Sequence, residues 1–429
     1  MQFVEKRKWF VAALAVLCFG LLDVAAETKL LRYPDIYKNK IVFCYGGDLY
    51  TSSVTGKNVK RLTDFPGEEL LPKFSPDGKQ IAFTAEFAGN KDVYVMSALG
   101  GKAKRLTFHP AAEYVVDWHP DGKRIIFRSN GSSSSYRFNR LHAVPVQGGL
   151  PTVLELPEAE LSGYNDTGDK IAYCRTSVDA LLFKRYRGGM APDIWTYDFP
   201  TRKAELVIAD RSLNHYPVWI GERIYFVSDR GEIREQNLWV YDCKSKKVRQ
   251  ITFYKEWGVK QPSKGGDEII FENEGGLRVY NTKDGTMRSL HIEVPRPAGW
   301  LKARTIDAKE FISGSPVLSP DGKKVILAAR GDLFFLEPEK KITKNLTRTP
   351  GANERCPLWS PTGKCFAYIS DRSGEDQVYM QKEAGGQAPM QATHCIASRL
   401  EALNWSPDGK KIGYAYHLAC FYLLDIETR

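Results

Sequence analysis

The sequence predicts an all-β protein, a six-bladed β-propeller followed by the first three blades of a second β-propeller. A Ser-Pro-Asp-Gly turn recurs at intervals of roughly 40 to 50 residues, which is the period of propeller blades. Short alternating apolar strands surround each turn, and almost no helical periodicity is present. A sheet of four short strands cannot bury both of its faces alone, so such sheets stack around an axis.

The recurring turn has a physical basis in its proline and its glycine. Proline presets the backbone dihedral of the first corner, and glycine adopts a positive φ without strain. Some copies are degenerate but keep their place in the repeat. In chain order the turns are Ser75–Gly78, His119–Gly122, Asn165–Gly168, Ile220–Arg223, Lys264–Asp267, Ser319–Gly322, Ser360–Gly363 and Ser406–Gly409.

The strands of one unit follow the turn in a regular order. An apolar strand such as Ile81–Thr84 comes first, and a strand with an aromatic residue, such as Asp92–Val95, comes second. A third strand ends in Leu-Thr or Ile-Thr, and an apolar strand then leads to the next turn, often through a tryptophan such as Trp118. Since β-branched and aromatic residues favour strands, each unit is predicted to contain four antiparallel strands.

Counting these units defines the predicted domains. Six blades occupy residues 30–290, and three more occupy residues 314–429. Residues 291–313 contain the proline-rich passage Val294–Gly299, which we interpret as the crossing between the two propellers. Three blades cannot close a ring, and an open ring exposes edge strands. We therefore expect a fragment or an interrupted reading frame, and a monomeric, soluble, cooperatively folded chain would contradict that expectation.

The first 26 residues have the pattern of a secretory signal peptide. Three basic residues at 6–8 precede the uncharged apolar run Trp9–Leu22, and small residues end at Ala26. The run is shorter than the ~20 residues that a membrane-spanning helix needs. We expect export to the periplasm and no integral membrane domain. An uncleaved anchor and a lipoprotein modified at Cys18 are the alternatives.

The positive charge of the chain is dispersed. The formal net charge is +10 and the isoelectric point is about 9.0, but many lysines fall in turns. Dispersed charge is typical of a solvated surface. Because no basic stripe is interleaved with aromatic residues, we do not expect nucleic acid as a partner.

The chemical motifs of common catalytic and metal sites are missing from the sequence. Seven cysteines follow residue 26 without a C-x-x-C pair, which favours buried free thiols, with a Cys356–Cys365 disulfide as one possibility. There is no G-x-S-x-G, H-E-x-x-H or phosphate-binding loop, and the histidines are scattered. We expect no catalytic residue, metal site or cofactor within residues 1–429.

One unusual segment, Phe183–Gly189, interrupts the fourth unit. Its residues Lys184, Arg185, Tyr186 and Arg187 can form a cationic lining for a peptide carboxylate. They are our candidates for a peptide-guiding site. The alternative is a solvated insertion loop with a basic face.

The chain resembles a known family in several of these segments. Lys184–Gly189 followed by Asp193-Ile194-Trp195 is similar to the fourth blade of bacterial tricorn protease homologues, which are peptidases of the S41 type. Pro217–Asp229 and Asn345–Pro361 are similar to the same family. The resemblance covers residues 30–429.

This resemblance implies a six-bladed and a seven-bladed propeller followed by a helical catalytic half with a PDZ domain and a Ser/His pair. The catalytic half is expected to lie beyond Arg429. The resemblance also implies that the propellers gate a chamber and guide unfolded peptides, and that the full-length protein assembles as a homo-hexamer. The archaeal prototype anchors the peptide carboxylate with an arginine pair after its second Leu-Thr strand. Here that stretch, Phe108–Tyr114, contains no arginine, so Arg185 and Arg187 are our substitutes.

Two other protein classes share this kind of repeat. A periplasmic binding scaffold resembling the Tol-system propeller is the alternative function, although that family places an α/β domain before a single six-bladed ring. The propeller cap of a prolyl-oligopeptidase-like hydrolase would require a G-x-S-x-G domain after one ring, and the sequence contains none.

Overall fold

The computed structural model describes residues 28–65, 67–176, 185–295, 308–382, 388–394, 399–416 and 420–428. Within these residues the chain forms β-strands and two short 3-10 turns, Ala308–Phe311 and Pro338–Lys340, and no α-helix. The strands form nine antiparallel sheets, eight with four strands and one with three. The predicted all-β fold with blade-like sheets is confirmed.

The described residues form two compact units. Residues 28–176 and 187–295 belong to the first unit, whereas residues 185–186 and 308–428 belong to the second. In both units each sheet is built from strands that are consecutive in the chain and pair antiparallel.

The first unit contains six sheets. The first sheet consists of β1 (Arg32–Tyr37), β2 (Lys40–Tyr45), β3 (Asp48–Ser53) and β4 (Lys60–Arg61). The second consists of β5 (Glu69–Phe74), β6 (Gln80–Ala85), β7 (Asp92–Ser97) and β8 (Lys104–Arg105). The third consists of β9 (Glu113–Trp118), β10 (Arg124–Ser129), β11 (Arg140–Pro145) and β12 (Thr152–Val153). The fourth sheet consists of β13 (Ser162–Tyr164), β14 (Lys170–Tyr173), β15 (Ile194–Asp198) and β16 (Lys203–Ile208). The fifth consists of β17 (Asn214–Ile220), β18 (Arg223–Ser228), β19 (Asn237–Asp242) and β20 (Val248–Gln250). The sixth consists of β21 (Lys260–Gly265), β22 (Glu268–Asn273), β23 (Gly276–Asn281) and β24 (Met287–Leu290).

The six sheets close into a ring. The first strands of successive sheets contact one another in order, and β1 returns to contact β21 and β22. Ile36 and Phe43 of the first sheet are buried in one cluster with Ile270 and Val279 of the sixth. Main-chain hydrogen bonds also join the first and sixth sheets, for example from the Leu31 N–H to the carbonyl of Gly275, between β22 and β23 (3.2 Å). The predicted six-bladed propeller is therefore confirmed.

The repeated turn has the geometry that its residues predict. Asp77 Oδ1 accepts hydrogen bonds from the Ser75 hydroxyl (2.6 Å) and from the Lys79 N–H (3.1 Å). The Ser75 hydroxyl in turn accepts from the N–H of Gln80 at 3.0 Å, and Gly78 has a φ of +70°. These bonds satisfy the polar groups of the turn, which is why Ser, Asp and Gly recur together.

The second unit contains three stacked sheets. They consist of β25 (Ile312–Leu318), β26 (Val325–Ala329), β27 (Asp332–Glu337) and β28 (Ile342–Asn345); β29 (Glu354–Trp359), β30 (Cys365–Ser370), β31 (Gln377–Lys382) and β32 (Met390–Gln391); and β33 (Leu400–Trp405), β34 (Lys411–Tyr416) and β35 (Cys420–Asp425). The predicted three blades are present. Their outer members leave apolar side chains in solvent, since Leu318 of β25 is 64% exposed and Phe421 and Leu423 of β35 are 78% and 73% exposed.

The cysteines follow the expectation only in part. Cys44 and Cys174 are buried free thiols, as expected, whereas Cys356 and Cys420 are exposed. Cys356 lies at an irregularity of β29 with a φ of +51°, which turns its side chain away from the sheet core. Cys356 and Cys365 are both free thiols, and Cys395 lies outside the described residues.

Two predicted segments lie wholly or partly outside the described residues. The predicted signal peptide, residues 1–26, is one of them, and the predicted crossing segment is described only at 291–295 and 308–313. Of the helical turns in the described ranges, none has the length and apolar character of a membrane-crossing helix.

Candidate functional site

The predicted peptide-guiding residues that the structure describes divide between the two units. Lys184 lies outside the described residues. Arg185 belongs with Tyr186 to the second unit, where its Nη1 donates to Glu375 Oε1 at 3.0 Å. Arg187 belongs to the first unit, where its Nη1 donates to Asp229 Oδ2 at 2.8 Å. The two arginines therefore bind carboxylates of different units, which sequence spacing could not indicate.

Arg187 lies in a basic cleft on the fourth and fifth sheets of the first unit. The cleft encloses about 390 Å³ and is formed by the segment before β15, the segment before β17 and the β18–β19 loop. We call it the arginine cleft; its lining residues are Arg187, Arg211, Ser212, Asp229, Arg230, Gly231 and Arg234.

Asp229 organises one side of the arginine cleft. Its side chain is only 2% exposed, and it forms the ion pair with Arg187, which is 28% exposed. The second carboxylate oxygen accepts a hydrogen bond from the Leu213 N–H at 2.8 Å. Because both oxygens are engaged, Asp229 ties the segment that carries Arg187 to the segment that begins β17.

Arg230 forms the floor of the cleft. Its guanidinium donates to Asp210 Oδ2 at 2.6 Å and lies over the rings of Phe226 and Trp239, 5.2 and 5.5 Å from their centroids. Burial lowers the pKa of Arg230, while the charges of Asp210 and Asp229 oppose that shift. Arg230 is therefore a rigid, largely buried cation.

The second unit repeats the arrangement around Arg230. Arg372 donates from Nε to the Ser370 hydroxyl at 3.2 Å and lies over Tyr368 and Tyr379. The sequence signal is the repeated Ser-Asp-Arg, at Ser228–Arg230 and Ser370–Arg372, which our sequence analysis missed. The repeat identifies Arg230 as part of the propeller framework as well as of the cleft.

A second candidate region lies at the axis of the first ring. The inner strands β5, β9, β13, β17 and β21 surround a space of about 60 Å³. Lys73 Nζ donates to the Ser263 hydroxyl at 2.6 Å, and that hydroxyl donates to Asp35 Oδ1. These three residues come from the second, sixth and first sheets, which are consecutive in the ring, so the hydrogen bonds tie three neighbouring inner strands together.

The strands around the axis carry a recurrent β-bulge that sequence reasoning also missed. In four inner strands of the first ring (β1, β5, β17 and β21) and in β29 of the second unit, a non-glycine residue with a φ near +50° precedes a proline, and the strand register shifts there. Proline lacks an N–H, so the distorted ladder loses no donor at that position. The repeated X-Pro was the available signal; the pairs are Tyr33-Pro34, Leu71-Pro72, Tyr216-Pro217, Gln261-Pro262 and Cys356-Pro357.

No group of three or more His, Cys, Asp or Glu side chains in the described ranges is placed to hold a metal ion.

Sequence comparison places the chain among propeller families. Residues 28–286, more than half of the chain, match the tricorn protease N-terminal beta propeller domain, and residues 301–421 match the TolB beta propeller domain. A tricorn protease homolog of Saccharolobus solfataricus is 25% identical over 89% of this chain and 34% of its own length. Tricorn protease homolog 1 of Streptomyces coelicolor is 26% identical over 94% of this chain and 38% of its own length.

Structural comparison agrees on the fold. The crystal structure of the tricorn protease superposes with a TM-score of 0.60 at 18% identity, covering 94% of this chain and 44% of that one. The chain thus spans little more than a third of the curated relatives that it matches. On the match over residues 28–286, the chain belongs to the family of the tricorn protease N-terminal β-propeller domain.

Proposed function

We propose that this chain is the non-catalytic propeller portion of an exported tricorn-like serine peptidase, and that it gates and guides unfolded peptides to and from a catalytic chamber. The order of the two propeller regions carries the proposal. Relatives named tricorn protease homologs match nearly the whole of this chain, and the match takes up only about a third of their own length. The remaining length of those relatives is where we expect the catalytic residues.

The axis of the first ring supports a gating role. Five inner strands surround a space of only about 60 Å³, and Lys73 and Ser263 on its wall are held by a hydrogen bond. We therefore expect an extended polypeptide to pass only if side chains at the axis move. A narrow polar axis with movable side chains selects against folded proteins. The arginine cleft offers a separate surface on which a peptide can be guided.

Binding of unfolded polypeptide tests the proposal. The purified full chain is mixed with fluorescein-labelled α-lactalbumin, either reduced and carboxymethylated or native, and anisotropy is recorded. We expect binding of the unfolded form, weaker binding of the folded form and no cleavage. Equal binding of both forms, or cleavage by a preparation that a serine-reactive inhibitor cannot silence, would contradict it.

Export is a separate part of the proposal. When the chain is expressed with residues 1–26 in a bacterial host, we expect the periplasmic fraction to contain protein that begins at Glu27. Protein that keeps residue 1 and stays in the cytoplasm would contradict export. A membrane-bound product would support one of the anchored alternatives.

A periplasmic scaffold is the second candidate, because residues 301–421 match the TolB propeller family. A scaffold binds a folded partner protein, whereas the proposed gate prefers unfolded chains. The same anisotropy experiment separates the two, since only the scaffold would prefer a folded ligand.

We propose that the full-length protein forms a homo-oligomer. The mass of the full-length protein in solution tests this proposal.

A further inference from the structure

We propose that Ser132 is a nucleophile that His142 activates, and that it accepts the acyl group of a reactive ester. The Ser132 hydroxyl lies 2.8 Å from His142 Nε2, within the reach that a hydroxyl nucleophile and its base require. The pair lies on the third sheet of the first unit, outside the arginine cleft. This inference goes beyond the proposed peptide-guiding function and does not rest on it.

The proton of His142 is placed for this role. Its Nδ1 lies 3.0 Å from the carbonyl oxygen of Arg140. A carbonyl oxygen can only accept, so the neutral ring carries its proton on Nδ1 and directs the Nε2 lone pair to the Ser132 hydroxyl. Burial lowers the pKa of His142, the hydrogen bond to the Arg140 carbonyl opposes that shift, and the charges of Arg140 and His109 add to it. The ring is therefore neutral at pH 7 and able to take a proton.

Packing of the sheet does not require a histidine at this position. In three other sheets the same place on the third strand holds a tyrosine, which stacks on an aromatic residue of the second strand. His142 keeps that stacking, with its ring centroid 5.0 Å from that of Phe127 and an angle of 17° between the planes. The other pairs, with centroids 5.9–6.0 Å apart, are Phe43 with Tyr50, Phe83 with Tyr94 and Tyr368 with Tyr379. Histidine thus adds a proton acceptor to a stacked pair that forms without one.

The third sheet also lacks the side chain that covers such a pair elsewhere. Four residues after the aromatic residue of the second strand, Phe87, Arg230 and Arg372 lie against the paired rings of their own sheets. The third sheet has Gly131 at this place, and the ring of His109 lies so close that a β-carbon on Gly131 would come within 2.5 Å of its Cε1. Ser132 follows and is exposed, so a small ester can reach its hydroxyl.

The reaction balances with the groups that are present. The Ser132 oxygen attacks the carbonyl carbon of an aryl ester while its proton passes to His142 Nε2. The bond from that carbon to the phenol oxygen then breaks, and the phenol oxygen keeps the electron pair and takes the proton from His142. The products are an ester on Ser132, a free phenol and neutral His142. Because a carbonyl and not a carboxylate holds the ring, the transient imidazolium is weakly stabilised, and we expect slow acylation by reactive esters without peptide cleavage.

Acetylation of the full chain by p-nitrophenyl acetate at pH 7.5 tests the proposal, with mass spectrometry of proteolytic peptides to locate and time each acetyl group. We expect Ser132 to be acetylated much faster than Ser134. Ser134 is the matched control, because it is exposed in the same loop and its hydroxyl bonds no side chain of the described residues. Ser132→Ala should remove the fast acetylation of this loop. Equal rates at the two serines, or no acetylation of Ser132, would overturn the proposal.

The role of His142 is tested by His142→Tyr. Tyrosine is the residue that the first and second sheets hold at this place, so stacking on Phe127 should persist, and circular dichroism checks the fold. We expect the rate at Ser132 to fall about a hundredfold, the lower end of what a positioned general base contributes. Acetylation of surface lysines should be unchanged and serves as the internal reference. A folded variant that keeps the rate at Ser132 would contradict the activation.

The pH dependence of the rate tests the same point without a substitution. Only neutral His142 accepts the proton, and its pKa lies below the ordinary 6.5. The rate at Ser132 should therefore rise with pH at acidic pH and level off above 6.5. Attack by serine without a base would accelerate steadily up to pH 9, and that profile would sink the proposal even if His142→Tyr proved unable to fold.

Discussion

The Thr63 hydroxyl donates a 2.8 Å hydrogen bond to Glu69 Oε2, which joins the end of the first sheet to the innermost strand of the second. The same hydroxyl accepts from the Leu49 N–H at 2.9 Å. This explains the threonine that recurs at this strand end, because the threonines of other blades accept the equivalent bond: Thr107 from Val93, Thr252 from Leu238, Thr347 from Leu333 and Thr393 from Val378.

We predict that Thr63→Val destabilises the first unit. The substitution keeps the shape but leaves the Leu49 N–H and the buried Glu69 carboxyl without a partner. The expected loss in the free energy of unfolding is about 1–3 kcal/mol, measured by urea denaturation. Thr55→Val is the control, because Thr55 bonds only the exposed Ser53 hydroxyl, and an equal loss there would refute the role of Thr63.

We predict that stability decreases as the pH rises from about 5 to 7. Burial raises the pKa of Glu69 and of Glu113 from the ordinary value of 4.5 to about 7. Between those values the folded chain holds protons that the unfolded chain has released, so the free energy of unfolding falls with rising pH and levels off above about 7. Asp35, whose pKa burial raises to about 6, acts in the same direction.

The measurement is the urea midpoint at pH 5.5 and 7.5 for the unmodified chain and for E69Q/E113Q. The amides cannot titrate, so the double variant should lose the part of this pH dependence that Glu69 and Glu113 contribute, whereas the part from Asp35 should remain. Burial lowers the pKa of His119 and of His142, so these two groups make the free energy of unfolding rise with pH. Both proteins keep these histidines, so the difference between the unmodified chain and E69Q/E113Q does not contain their contribution. An unchanged pH dependence in E69Q/E113Q would contradict the assignment.

We predict that Gly265→Ala opens the closure of the first ring. A β-carbon at Gly265 would overlap the carbonyl oxygen of Ile36, where the sixth sheet meets the first. Because backbone must shift to relieve the overlap, we expect a loss of about 1–3 kcal/mol or more in thermal or urea unfolding.

The neighbouring glycine supplies the control. Gly266 has a φ of +62° but open space around it, so Gly266→Ala tests backbone strain without a clash. Its expected cost is about 1–2 kcal/mol. If Gly266→Ala proved the more damaging of the two, close approach of the first and sixth sheets would not be the reason for Gly265.

We predict that Leu423→Glu reduces self-association of the chain. Leu423 lies with Phe421 on the exposed side of β35, where apolar side chains and an edge strand meet solvent. Light scattering and binding of a hydrophobic dye should both decrease. Leu150→Glu is the control, because Leu150 is 89% exposed in the first unit outside such a strand, and an equal decrease there would show a simple charge effect.

Much of the architecture could be predicted because its physics is local. The Ser75–Gly78 turn and its copies satisfy their own polar groups within a few residues, and alternating strands follow from side-chain period. Repetition of these units then leads to a ring of blades, since one four-stranded sheet cannot bury both faces. The family resemblance rested on segments such as Lys184–Gly189, and the match over residues 28–286 agrees with it.

The candidate sites depended on tertiary structure instead. Arg185 and Arg187 are two residues apart, yet they bind Glu375 and Asp229 in different units. Arg211, Arg230 and Arg234 converge only because the segments around β17 and β18 belong to one blade edge. The sequence by itself determined the strands, turns and blade count, whereas only the fold decided which loops share a cleft, because long-range packing and not local backbone preference brings those side chains together.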